Sequence, residues 1–136
     1  RAANPRLRKA CYWLHVARVD EITPASVIDA TGHVRTPRGQ LAKDSLLRNL
    51  TILERLGCLT EDNLAKLRED VLHTITRGPY AGELAEVDHI VPVAKAPQFE
   101  SWIANLKVMP RTLNCRKSDK MPDRQWSHLA KLLETE

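Results

Sequence analysis

EVDHIVPVAKAPQFESWIANLKVMPRTLNCRKSDK, residues 86–120, is the stretch whose reading decides the fold. Residues 82 to 87 lead into DHIVP as a short strand that Pro92 brings to an end. Residues 92 to 104 form an irregular loop with two prolines, and Leu106 to Met109 is a second strand. Pro110 ends that strand, and Arg111 to Lys117 reads as a helix. The order is therefore strand, loop, strand, helix.

Downstream, Met121-Pro122-Asp123 breaks the chain before a last helix, whose apolar side is Trp126, Leu129, Leu132 and Leu133. Upstream, the pattern changes at Arg77-Gly78-Pro79-Tyr80, and residues 1–76 read as helical. Leu7, Cys11 and Leu14 give one apolar side to a helix over about residues 5–19. Thr23-Pro24 is a helix start, a capping hydroxyl followed by proline at the first helical position, and that helix should stop at Gly32. GHVRTPRG then reads as a loop. A third helix is expected from Gly39 to Leu56, with Leu46, Leu50 and Leu53 in one stripe and Gly57 as terminator. A fourth follows Thr60, with Leu64, Leu67, Val71 and Ile75 on one face. The short link between the last two implies an antiparallel helical hairpin. The fold expected is α+β, a helical region over 1–76 packed on a strand-strand-helix region over 77–136 in one domain.

A chain of 136 residues can bury a core without disulfides or a structural metal. With 43% hydrophobic and 28% charged residues it should fold rather than stay disordered. Only 4% of residues are aromatic, which argues against rows of base-stacking rings. Cys11, Cys58 and Cys115 form no CxxC pair, which makes a structural zinc site or disulfide framework improbable and suggests a reducing compartment, the cytoplasm. A single Cys11–Cys58 bridge stays open, and Cys115 is expected as a small buried apolar residue. No stretch is apolar enough to cross a membrane. The formal net charge of +4 favours an anionic partner. Lys107, Arg111, Arg116, Lys117, Lys120, Arg124 and Lys131 face only Asp119 and Asp123 in the same span, so the basic excess overlaps the decisive stretch. A nucleic-acid surface and a solvated helix face both fit that excess.

Phosphodiester cleavage needs an activated water, a charge stabiliser and help for the leaving oxygen. His89 can accept a proton from water near neutral pH. Asp88 and Asn114 supply hard oxygen donors for one divalent cation, Mg2+ or Mn2+, with water and phosphate oxygens completing its shell. Adjacent strand residues point to opposite sides, so His89 would need a twist or bulge to share a substrate with Asp88. Asn105 could bond a loop carbonyl and orient the histidine. Lys117 lies one helical turn after Asn114 and reaches the same side. Arg77 reads equally as a phosphate contact or a surface ion pair, and Glu83 as a solvated strand residue in preference to an acid standing behind a metal ligand. His15, His33, His73 and His128 lie outside the motif and read as ordinary residues.

EVDHIVP, then Asn105, then LNCRKSDK resembles the HNH endonuclease family and its ββα-metal fold, most closely the HNH domains of RNA-guided nucleases. The resemblance covers residues 77 to 121. It implies a one-metal mechanism in which His89 is the general base, Asp88 and Asn114 hold the metal, Asn105 braces the loop and Lys117 is the basic residue after the last ligand. Asn stands at the last ligand position where many members have His. The zinc-binding CxxC pairs of many members are absent, which leaves packing to hold the fold. The expected partner is DNA, with Arg77, Lys107, Arg111, Arg116 and Lys120 on its backbone. Two alternatives stand beside it: a catalytically weak HNH-like module that only binds nucleic acid, and a nuclease toxin domain with an immunity protein as partner.

Overall fold

The computed structural model describes residues 7–32, 35–116 and 121–136. Four helices come first: α1 Leu7–Val19, α2 Pro24–Ala30, α3 Pro37–Arg55 and α4 Glu61–Arg68. Three of them start by the same local device, a threonine whose hydroxyl accepts a backbone N–H three residues on. Thr23 takes Ser26 N at 3.3 Å, Thr36 takes Gly39 N at 3.0 Å and Thr60 takes Asn63 N at 3.3 Å. Thr36-Pro37 thus repeats Thr23-Pro24, and α3 begins at Pro37 rather than at Gly39. Gly57 follows α3 at φ 69°. Glycine is required there twice over, because a Cβ would also collide with Thr76 Oγ1 and Arg77.

Two expectations for the helical part are corrected. The fourth helix ends at Arg68, and Asp70 turns the chain at φ 57°. His73–Thr74 is then a strand, β1, so residues 1–76 are not all helical, and Val71 is exposed. In addition, α3 and α4 do not form a helical hairpin: α4 packs chiefly on α1, whereas α3 packs most on residues 103–105 and about equally on α1 and on residues 106–110.

The sheet is antiparallel in the order β1-β2-β3, with β2 at Leu84–His89 and β3 at Leu106–Pro110. β1 pairs with β2 through His73↔Ala85 and Thr74↔Leu84. β2 pairs with β3 without interruption from Ala85↔Pro110 to His89↔Leu106. β3 is an edge strand, and α3 covers that edge with side chains. Asn49 donates from Nδ2 to Leu106 O at 3.0 Å and accepts Val108 N on Oδ1 at 2.8 Å, as a neighbouring strand's peptide group would. Ser45 Oγ adds a bond to Ile103 O at 2.8 Å.

Two helices follow β3: α5 Arg111–Arg116 and α6 Asp123–Glu134. The main core joins Leu7, Cys11 and Leu14 of α1, Leu50 and Leu53 of α3, Leu67 of α4, Ile75, and Ala85, Leu106 and Val108 of the sheet. A second cluster gathers Val91, Ala96, Phe99 and Ala104 of the β2–β3 loop around Leu132 of α6. The apolar side of α6 is narrower than expected, since Trp126 and Leu133 are about half exposed. Cys11 and Cys58 are buried free thiols rather than a bridge, and burial pushes them up to about 12 and about 11. Cys115 has no described side chain. Among the described residues no helix is long and apolar enough to cross a membrane. The architecture is mixed helix with a small antiparallel sheet, an α+β fold.

Candidate active site

The β2–β3 loop is organised by two short 3-10 turns, Pro97–Phe99 and Ile103–Asn105. Asn105 is fully buried at its base. Its Oδ1 accepts Val91 N at 2.9 Å, and its Nδ2 donates to Val91 O at 3.1 Å and Phe99 O at 3.5 Å. Its own carbonyl accepts Ile90 N at 2.8 Å. One amide therefore ties together the strand exit and the far side of the loop. The next carbonyl after Phe99, that of Glu100, lies 2.9 Å from His89 Nε2. A carbonyl only accepts, so Nε2 carries the proton and the lone pair of the neutral ring sits on Nδ1.

The last helix holds the same loop. Gln125 donates from Nε2 to Ile90 O at 2.6 Å, and His128 Nε2 donates to Ala104 O at 2.8 Å. Neither residue stood out in the sequence, and His128 was expected to be ordinary. Burial lowers its pKa, which keeps the ring neutral with its N–H committed to the loop. The one available hint was a Gln and a His three residues apart on the inward side of an otherwise apolar helix face.

β2 alternates, so Glu86 and Asp88 share one face of the sheet and Ala85, Val87 and His89 the other. The unbroken register contains no bulge, so nothing re-aims His89 toward the Asp88 face. The two residues leave the last two positions of the strand on opposite sides, both half-buried. The helix α5 lies over the Glu86 face. Glu86 Oε1 accepts Asn114 Nδ2 at 2.8 Å, and Oε2 accepts Arg111 Nε at 2.7 Å. The Asn114 amide first, and Arg111 second, hold this carboxyl below the usual carboxylate range. Glu83 is not a merely solvated residue. Its Oε1 accepts Thr112 N at 2.9 Å, satisfying one of the open N–H groups at the start of α5. Glu86 was not singled out in the sequence, although its two-residue spacing from Asp88 put it on the same face.

The basic residues are spread around this unit. Lys107 stands directly opposite Asp88 across the β2–β3 pair. Arg111 is half exposed at the first position of α5, and Arg77 is exposed in the turn after β1. Arg116 ends α5, and its side chain lies outside what is described, as do Lys117, Lys120 and His33 altogether. Arg38 of α3 stacks on Trp102, 3.8 Å from the ring centroid, beside the turn that carries Asn105.

Asp88 and Asn114 offer a carboxylate and an amide oxygen, donors that suit Mg2+ or Mn2+ better than zinc. Among the described residues no group of three or more His, Cys, Asp or Glu side chains could hold a metal ion. A cation here would keep most of its positions for water and phosphate oxygens, which magnesium accepts. No family model, no curated protein and no solved structure matches this chain.

Proposed function

We propose that the chain is a metal-dependent HNH-type endonuclease that hydrolyses DNA phosphodiester bonds, nicking or cutting both strands. His89 is the general base, and one Mg2+ or Mn2+ is held by Asp88 and Asn114. The observation that carries this is the hydrogen bond from His89 Nε2 to Glu100 O at 2.9 Å. It leaves Nδ1 as the basic nitrogen and gives the ring a fixed orientation, which is what a general base at a strand end requires. Asn105 supports it from behind by holding Val91 and Phe99, the residues flanking that stretch of loop.

On this proposal His89 Nδ1 takes a proton from water as the water attacks phosphorus. The imidazolium that results is stabilised by its N–H bond to the Glu100 carbonyl. A bound divalent cation supplies charge neutralisation at the phosphate and at the leaving oxygen. Arg111, through the guanidinium NH2 groups left over from its Nε bond to Glu86, and Lys107 are assigned to neutralise backbone phosphates flanking the scissile bond. Lys117, outside the described residues, is assigned to the same task by the resemblance alone. Because Asp88 and His89 leave the strand on opposite sides, the phosphodiester has to sit across the strand end rather than on one face of the sheet.

That opposition also favours a second reading, a catalytically weak module that binds nucleic acid. Incubation with supercoiled plasmid and Mg2+, Mn2+ or EDTA separates the two. Metal-dependent appearance of nicked or linear DNA, lost in EDTA, supports the nuclease. Intact plasmid together with salt-sensitive DNA binding supports the binding module and ends the nuclease proposal.

A further inference from the structure

We propose, on the reading of Asp88 and Asn114 as metal ligands, that Glu86 is the positioning residue that decides which end of the Asn114 amide is offered to the cation. An asparagine can hold a metal only through its oxygen. Its two amide orientations have nearly the same shape, so something must choose between them. Glu86 makes the choice by its own chemistry. An ionised carboxylate accepts hydrogen bonds and cannot donate one, so only the NH2 end of Asn114 can face Glu86 Oε1, at 2.8 Å. The amide oxygen is thereby turned away from Glu86. Asp88 lies on the same face of the strand, two residues further along.

The surroundings fix the carboxylate itself. Arg111 donates from Nε to Oε2 at 2.7 Å, so both oxygens of Glu86 are engaged and its rotamer is held from two directions. Glu83 fixes the start of the same helix through Thr112 N at 2.9 Å. Two acids of one strand segment thus hold the first turn of α5 at two points. Each oxygen of Glu86 keeps a second lone pair, so service as a third metal ligand would not itself release Asn114; it would instead make Glu86 variants lose metal affinity even where Asn114 is already alanine. A role as a plain surface ion pair with Arg111 would make no use of the Asn114 bond at all. Both alternatives differ from the proposal in what they predict for Asn114.

The test uses the full chain with Glu86→Gln, and Glu86→Asp as a second variant that keeps the charge but shortens the reach. The first readout needs neither metal nor activity. In the metal-free protein the side-chain NH2 signals of Asn114, assigned by their loss in Asn114→Ala, should be shifted and slow to exchange. In both Glu86 variants they should move toward the positions of a solvated amide. The second readout is Mn2+ affinity, expected to fall about 10-fold or more in each variant, the range for loss of a group that orients a ligand. The third is the double variant with Asn114→Ala, which should bind Mn2+ no more weakly than Asn114→Ala alone, because Glu86 acts through that amide. Unchanged Asn114 signals, or losses of affinity that simply add, would overturn the proposal. A wild-type chain that binds Mn2+ while both Glu86 variants bind it equally well removes this proposal alone. A wild-type chain with no Mn2+ affinity removes the ligand assignment and the proposal with it.

Discussion

Asn105 bonds the backbone of Val91 in both directions, accepting its N–H at 2.9 Å and donating to its carbonyl at 3.1 Å. An aspartate in its place could still accept from Val91 N but would set an acceptor against the carbonyls of Val91 and Phe99. Asn105→Asp should therefore destabilise the chain by about 1–3 kcal/mol, the cost of leaving buried polar groups unpaired. The Val91 amide should lose hydrogen-exchange protection before the rest of the sheet does. Equal protection in variant and wild type would mean that the second cluster around Phe99 holds the loop without Asn105.

The amide of Asn49 replaces a missing strand at the outer edge of β3. Asn49→Ala leaves Val108 N–H without its acceptor and takes one donor from Leu106 O, although Ser45 and Arg48 also approach that oxygen. The expected loss is about 2–3 kcal/mol in unfolding free energy. Asn49→Asp should be no better, since it turns an acceptor toward the carbonyls of Ser45 and Leu106. Denaturant unfolding of both variants checks this, and a midpoint within error of wild type would show that water serves the edge as well.

What was legible in the sequence was mostly what is set within four residues. Threonine caps, glycine stops and the alternation around Asp88 are local, and the strand-loop-strand-helix order follows from them. The 71–75 stretch misled for a physical reason. Leu64, Leu67, Val71 and Ile75 fit a helical stripe, but Asp70 in the left-handed region breaks it, and the pairing that makes β1 is with Ala85 and Leu84. Thr36-Pro37 was hidden inside a glycine- and proline-containing run that otherwise reads as loop. Asn49 had no local signal, and Gln125 and His128 only their three-residue spacing on the inward side of the last helix, because each bonds a backbone group 24 or more residues away. Glu86 was overlooked because its partners, Arg111 and Asn114, reach it only once α5 folds back over the sheet.

His73 is fully buried in β1. Burial pushes its imidazole down to about 4, helped by the nearby charges of Arg8 and Lys66 and opposed by the Val71 carbonyl. Its folded pKa lies below the unfolded value near 6.5, so the unfolded chain binds the extra proton first. The stability of the neutral ring is fully present above about pH 6.5 and is lost as pH falls toward about 4, by up to roughly 3 kcal/mol. Urea unfolding between pH 4 and 7 should show this slope, and a folded His73→Leu variant should flatten it. An equally steep slope in the variant would assign the acid sensitivity to other groups.

His89→Ala should abolish plasmid cleavage while leaving folding and DNA affinity nearly unchanged, because the half-buried ring stands at the strand end outside both buried apolar clusters. The expected rate loss is ~10²–10⁴-fold, as for removal of a general base. Turnover close to wild type would take His89 out of the mechanism and move attention to the second reading.

DNA binding, if the nuclease proposal holds, should be mainly electrostatic. Five basic residues are assigned to the backbone, Arg77, Lys107, Arg111, Arg116 and Lys120, and no helix among the described residues is an obvious reader of base edges. Each neutralised phosphate adds about 0.9 to the slope of log affinity against log salt, so five contacts give a slope near −4 to −5. Arg111→Gln should reduce that slope by about one and weaken all sequences alike. The check is competition between a random duplex and any proposed target at physiological salt. A strong preference for one short sequence would require a reading element not counted here. Arg38, exposed in the first turn of α3 with its guanidinium carbon 3.8 Å from the Trp102 ring centroid, is then the first residue to change.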